Sequence, residues 1–212
     1  MFRRGAPMLC VVASLALAPL PVGAGAPTER LRTAVDQVTQ ILDDPALQPE
    51  ARAREREAAV RAAVVDLFDF AEISRRAMAR HWRGLTDWEQ EEFVAVFRAF
   101  LEQRYLPRIA LYQGERVRFL SESQDGSVAV VRTQVVTRKG VEVPVNFRLH
   151  RPDDRWLVYD ITAEGVSLVA NYRAQFNRII RRTSVRELVR RIKRRAESAE
   201  PRNEARSSSP AR

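Results

Sequence analysis

Cysteine and histidine are scarce in this sequence, which has one Cys and two His among 212 residues. Cys10 lies in an apolar segment near the N-terminus, so the rest of the chain can form no disulfide and offers no thiol to chemistry. His81 and His150 lie in different predicted elements, and neither has a Cys or a second His at ligand spacing. The sequence therefore indicates no zinc or iron site.

Glycine-rich phosphate loops are also missing. Neither G-x-x-x-x-G-K-[ST] nor G-x-G-x-x-G occurs in the chain. The run Gly165-Val166-Ser167 begins like the nucleophile elbow G-x-S-x-G, but Val169 occupies the place of the second glycine. We expect Ser167 to cap a helix instead, and we expect no nucleotide cofactor.

The sequence also shows no excess of basic residues in the part of the chain expected to fold. The chain has 36 Lys and Arg against 27 Asp and Glu, a formal net charge of +9. Eleven of these cations and four of these anions lie in residues 181–212, while residues 25–180 hold 23 of each sign. A nucleic-acid-binding domain should carry its cations on the fold itself, so we expect no nucleic-acid partner.

No apolar run is long enough to span a bilayer. The longest is Leu9–Leu20, 12 residues that follow Arg3 and Arg4 and precede small residues. This arrangement predicts a secretory signal peptide over residues 1–24, with cleavage after Ala24. We expect one domain over residues 25–196 and a polar, disordered tail over residues 197–212.

Hydrophobic spacing predicts helices in the first half of the domain. Apolar residues recur at helical spacing over residues 31–42 and 50–68. Asp69 should cap a third helix that reaches about Trp82, and Thr86 with Glu89 forms a capping box for a long helix that reaches about Tyr112. Pro107 should kink or end that helix. Its apolar residues four positions apart should form one inward stripe: Phe93, Phe97, Leu101, Tyr105 and Ile109.

From Glu115 the spacing changes to that of strands. Four segments, separated by short turns, alternate apolar and polar residues up to Thr162. A helix should begin near Val166, and another should follow Ser184. The predicted fold is α+β, a curved four-stranded antiparallel sheet clasped by helices, like the cone of nuclear-transport-factor-like proteins.

Apolar and aromatic side chains are plentiful and are predicted to lie between this sheet and its helices. They are Phe97, Leu101, Tyr105, Val145, Phe147, Leu149, Trp156, Val158, Val166, Leu168, Val169, Tyr172 and Phe176. Such residues can fill a solid core or line a cavity, because both use the same types.

Two alternatives to a binding cavity follow from the residues. A small-molecule enzyme on the same fold would use Asp160 or His81 as its base, although Asp160 can equally pair with Arg148 or Arg132 on a neighbouring strand. An envelope adaptor would have a filled core and bind other proteins through its helices.

Several segments resemble MlaC-type proteins, also called toluene-tolerance or auxiliary transport proteins. In the first half these are Phe68-Asp69-Phe70, His81-Trp82-Arg83 and the helix that carries Phe93 and Phe97. In the second half they are Pro144 to Leu149, Trp156 to Asp160 and Glu164 to Phe176. The resemblance covers roughly residues 67–195, and the hopanoid-associated branch of the family is a close variant.

The resemblance implies a periplasmic phospholipid carrier that is not an enzyme and needs no cofactor. Its partners would be an outer-membrane lipoprotein complex, an inner-membrane ABC transporter with an MCE-domain subunit and, transiently, the membrane surface. Arg148 and Arg173 would then lie at a head-group rim. The side chains expected to contact the acyl chains are Phe97, Leu101, Tyr105, Val145, Phe147, Leu149, Trp156, Val158, Val166, Val169 and Tyr172.

Overall fold

The structure, a computed structural model, describes residues 25–110 and 114–198. The predicted signal peptide and all but the first two residues of the predicted tail lie outside these ranges. The helices are α1 (Ala26–Asp43), α2 (Ala53–Val65), α3 (Phe70–Met78), α4 (Asp87–Ala110), α5 (Leu168–Arg182) and α6 (Val185–Ser198). The strands are β1 (Arg116–Asp125), β2 (Val128–Val136), β3 (Glu142–His150), β4 (Leu157–Ala163) and β5 (Val166–Ser167).

Local hydrogen bonds at the helix starts confirm the predicted caps. The Asp69 carboxylate accepts from the Glu72 amide at 2.8 Å and begins α3. At α4 the Glu89 amide donates to the Thr86 hydroxyl, and the Glu89 carboxylate accepts from the Thr86 amide at 2.9 Å. Because each residue satisfies a backbone donor that the helix leaves free, the start of α4 is fixed by its own sequence.

The bounds of three helices differ from the prediction. The predicted second helix splits into a 3₁₀ turn over Glu50–Arg52 and α2, and α3 gives way to a 3₁₀ segment over Ala79–Gly84. Pro107 lies inside α4, which continues to Ala110. Proline has no amide hydrogen, so the helix loses one internal hydrogen bond there without ending.

The sheet is antiparallel with strand order β1-β2-β3-β4-β5, so the prediction of four strands is wrong by one. The additional strand has two residues, and Val166 pairs with Ala163 across a tight turn. Glu164 and Gly165 in that turn have φ of 49° and 80°. Positive φ at both central positions gives the hairpin turn that matches strand twist. A two-residue strand is too short to show alternation in the sequence.

A register shift in β4 sets which side chains share a face. Leu149 pairs with Val158 and Phe147 with Ile161, so Tyr159 and Asp160 lie between two residues of the same face. An extra residue in one strand produces this arrangement, a β-bulge. One face of β4 is therefore apolar at both ends of the bulge.

Buried apolar residues form three clusters. The first lies among α3, α4, α5 and α6 and contains Phe93 and Phe97, both fully buried. The second packs the sheet against α1 and includes Leu31 and Leu149. The third, smaller cluster joins α1, α2 and α4.

Among residues 25–110 and 114–198, no helix is both long enough and apolar enough to cross a membrane.

Candidate functional site

A cavity of about 540 Å³ lies beside the C-terminal half of α4. Its other walls come from the end of α2, the start of α3, strands β4 and β5, and the first turn of α5. The lining residues are Val64, Val65, Phe68, Phe70, Ile73, Leu101, Glu102, Tyr105, Leu106, Arg108, Ile109, Val158, Asp160, Ile161, Ala163, Val166, Leu168 and Asn171. This volume is within the usual range of ligand pockets, roughly 300–1,000 Å³.

Exposure within the lining shows where the cavity opens. Val158 is completely buried, whereas Val166 is 62% exposed. Arg108, Ala163 and Asn171 are exposed as well. The mouth therefore lies between the last turn of α4 and the hairpin that joins β4 to β5, and the floor lies against β4.

Two carboxylates line the cavity, and both are satisfied by protein groups. Glu102 accepts from the Arg98 guanidinium at 2.6 Å and pairs with Arg61 at 3.4 Å. Asp160 accepts from the Ser167 hydroxyl at 2.7 Å and from the Val169 amide at 3.1 Å. Asp160 thus ties the start of α5 to β4, because it satisfies an amide that the helix cannot pair internally.

A pair of tyrosines lies where the cavity adjoins the first apolar cluster. The hydroxyl oxygens of Tyr105 and Tyr172 are 3.4 Å apart. Tyr105 lines the cavity, whereas Tyr172 is buried among aromatic rings of α4 and α5. Burial raises the pKa of Tyr172, and the hydrogen bond with Tyr105 raises this pKa further.

The side chains predicted to contact a guest divide among different regions. Leu101, Tyr105, Val158 and Val166 line the cavity. Phe97, Val169 and Tyr172 belong to the first cluster, among α3, α4, α5 and α6. Leu149, Trp156 and Phe147 pack in the second cluster, against α1, and Val145 lies half-buried on the same face of β3 as Phe147.

The two arginines predicted at a head-group rim do not line the cavity. Arg148 is exposed and lies on the opposite face of β3 from Phe147 and Leu149, because side chains alternate along a strand. Arg173 is exposed on α5, where its Nε donates to the Arg76 carbonyl at 2.9 Å. That contact satisfies a carbonyl in the last turn of α3.

The histidines also lie away from the lining. His81 Nε2 is 3.1 Å from Asn177 Oδ1, and His150 Nε2 is 2.9 Å from Asp69 Oδ2. Within the part of the chain that the structure describes, no group of three or more His, Cys, Asp or Glu side chains could hold a metal ion.

Several lining residues were missed as site residues. Val64, Phe68 and Ile109 were predicted on inward helix faces, but not at a site. Arg108 and Asn171 carried no signal, since a polar residue near a helix end is usually just solvated. Their position at the mouth emerges only when α4, β5 and α5 are brought together.

Fold and cavity together define a class of protein: a mixed helix-and-sheet fold with an apolar cavity between its sheet and its helices. Residues 32–194 match the family model described as MlaC protein, so the chain belongs to the MlaC family, and the predicted resemblance is confirmed.

A solved structure has a similar fold. It is the phospholipid-binding protein from Ralstonia solanacearum, determined in complex with a phospholipid. The two chains are 27% identical with a TM-score of 0.73, and the match covers 84% of this chain and 100% of that one.

Proposed function

We propose that this protein is a periplasmic phospholipid carrier that holds acyl chains in the cavity beside α4. The observation that supports this most directly is the apolar chamber itself, about 540 Å³ with an open mouth, in a chain of the MlaC family. The Ralstonia solanacearum protein, which has a similar fold, was solved with a phospholipid. Leu101, Tyr105, Val158 and Val166 would contact the chains directly.

The energetics of acyl chains favour an enclosed carrier over free diffusion. Each methylene removed from water is worth ~0.8 kcal/mol, so exposing two chains of about fifteen carbons costs on the order of 20 kcal/mol. A lining of Val, Leu, Ile and Phe offers the chains nearly the environment of a bilayer. Exchange between membrane and carrier is then close to thermoneutral, and no nucleotide needs to be bound by the carrier.

The direction of transport would be set by the partners, which membership of the MlaC family suggests. A thermoneutral carrier moves lipid in whichever direction its partners impose. We propose that these partners are an outer-membrane lipoprotein complex and an inner-membrane ABC transporter with an MCE-domain subunit. The predicted signal peptide over residues 1–24 would deliver the chain to the compartment between them.

Transient contact with an anionic membrane would involve α6. Arg190, Arg191 and Arg194 share the single carboxylate of Glu187, so the outer face of this helix keeps a positive charge. An arginine near an anionic surface contributes about 1 kcal/mol. Sedimentation with phosphatidylglycerol vesicles should weaken when Arg190 and Arg194 are changed to Gln, and phosphatidylcholine vesicles serve as the control.

Lipid extraction tests the main proposal. The purified protein should carry stoichiometric phospholipid, seen by native mass spectrometry as an added mass and identified after extraction. A compact protein that stays empty even after incubation with phospholipid vesicles would contradict the proposal and favour the adaptor alternative. The enzyme alternative requires turnover of a small molecule that is lost in Asp160→Asn or His81→Gln.

A further inference from the structure

Arg108 differs from the other charged residues of the cavity lining. Glu102 is neutralised by Arg98 and Arg61, and Asp160 accepts two hydrogen bonds from the start of α5. Among the residues that the structure describes, Arg108 has no carboxylate within ion-pair distance. Arg108 therefore presents to the cavity a positive charge that no carboxylate of the described residues pairs with.

The position of Arg108 suits a ligand at the mouth rather than a chain in the interior. It lies in the last turn of α4, exposed, with its guanidinium carbon 5.9 Å from the centre of the Tyr105 ring. An aromatic face attracts a guanidinium without occupying its hydrogen-bond donors, which lie in the guanidinium plane. Those donors remain available for an incoming anion.

Asn171 contributes a second donor to the same mouth. Its Oδ1 accepts from Gln175 Nε2 at 3.1 Å, so the side-chain amide is oriented by its neighbour on α5. The remaining Nδ2 group can only donate, as the Arg108 guanidinium can. Two donors in the lining of one apolar cavity, one of them charged, are suited to a phosphate.

We infer that Arg108 and Asn171 form a phosphate-binding subsite that selects lipids with a phosphate in the head group over neutral lipids with the same chains. This inference rests on the proposed function, because the phosphate is brought to the mouth by chains that occupy the cavity. A neutral head group would leave Arg108 without a counter-charge. A phosphate accepts two parallel hydrogen bonds from a guanidinium, so the discrimination comes from Arg108 and is supported by Asn171.

The test is a competition between two lipids that differ only in the head group. The purified protein is incubated with vesicles that contain equal amounts of dioleoylphosphatidylglycerol and dioleoylglycerol, and the bound lipids are counted by mass spectrometry. We expect the wild-type protein to prefer the phosphate lipid, and Arg108→Gln to lower that preference about tenfold. Arg108→Lys should restore part of it, and Asn171→Ala should lower it by a smaller factor.

Arg104 offers a matched control. It lies one turn before Arg108 on α4 and is also 5.9 Å from the Tyr105 ring centre, but it does not line the cavity. Arg104→Gln should leave the lipid ratio within about twofold of the wild type. An equal loss in both variants would overturn the inference, because it would indicate a general charge effect rather than a subsite.

A further experiment distinguishes a lipid head group from free phosphate as the ligand of this subsite. Inorganic phosphate should leave the lipid ratio unchanged relative to sodium chloride of equal ionic strength; loss of the preference would assign the subsite to free phosphate instead. If the wild type takes up both lipids equally, the carrier function stands and the subsite inference fails. If it takes up neither lipid, both fail.

Discussion

The aromatic cluster among α3, α4, α5 and α6 and the cavity beside the C-terminal half of α4 lie along the same helix. Phe97 meets Tyr172 and Phe176 of α5 at ring-centre distances of 5.2 Å and 5.0 Å and is completely buried. About two and three turns further on, Tyr105 and Ile109 line a space of about 540 Å³. The same stripe of α4 therefore borders a filled region and a hollow one.

The facing residues account for this difference. Opposite Phe97 the surface of α5 supplies large rings, which fill the space between helices. Around Tyr105 and Ile109 the lining contains small side chains of the β4–β5 hairpin, Ala163 and Val166, as well as Phe68 and Phe70. An apolar stripe on one helix can thus border packed core at one turn and a cavity at another, depending on which elements cover each turn, although protein interiors otherwise pack almost without voids.

Phe97→Ala should break the filled region and have the largest effect. The ring is 0% exposed, and removing a buried aromatic side chain of this kind costs about 3–5 kcal/mol of unfolding free energy. Denaturant unfolding followed by circular dichroism measures the loss. Trp88→Ala on the same helix is the control, because Trp88 is 68% exposed and its removal should cost within about 0.5 kcal/mol. A loss below about 1 kcal/mol for Phe97→Ala would contradict the assignment of this region as solid core.

Ala163→Trp should fill the hollow region and have the second-largest effect. Ala163 is an exposed residue at the mouth, so the indole can occupy the cavity without disturbing packed core. Excluding two methylenes of a guest already costs about 1.6 kcal/mol, which is a more than tenfold loss of phospholipid bound per protein. Native mass spectrometry after incubation with vesicles measures the occupancy.

Thr162→Trp is the matched control for this substitution. Thr162 is the preceding residue of β4 and lies on the other face of the strand. It should keep the wild-type lipid occupancy, and both variants should unfold near the wild-type denaturant midpoint. Normal occupancy in Ala163→Trp would show that the guest does not use this cavity.

How far the sequence predicts these regions depends on the element. The spacing of Phe93, Phe97, Leu101, Tyr105 and Ile109 predicted the inward face of α4, and the capping signals at Asp69 and Thr86 were confirmed. Local spacing and local hydrogen bonds are sufficient for such features. They contain no information about which element covers each turn of the helix.

For that reason the sequence could not predict which apolar residues pack in the core and which line the cavity. Phe147 and Leu149 alternate correctly on β3 but pack in the cluster against α1, whereas Val158 and Ile161, their partners on the same face of β4, line the cavity. The alternation of apolar and polar residues also does not predict the bulge at Tyr159 or the two-residue strand β5. Arg148 was predicted at the rim, but it lies on the other face of β3. Arg108 lines the cavity instead, and nothing in the sequence near either arginine distinguishes the two positions.

Tyr172→Phe should have the smallest effect, because it alters the boundary between the two regions and neither interior. It removes the hydroxyl that meets Tyr105 at 3.4 Å, and a hydrogen bond of this type contributes about 1 kcal/mol. Denaturant unfolding at pH 8 measures that cost. Lipid occupancy should stay close to the wild type, because Tyr172 does not line the cavity.

The pH dependence of this variant tests the boundary more sharply. Burial raises the pKa of Tyr172 in the folded protein above its unfolded value of about 10. The stability contributed by the neutral phenol is therefore fully present below pH ~10 and is lost as the pH rises through the folded-state pKa. Between pH 10 and 11.5 the wild type should lose unfolding free energy more steeply than Tyr172→Phe. Equal slopes would mean that the Tyr172 hydroxyl is hydrated, and that the hollow region extends past Tyr105 into what the structure places as core.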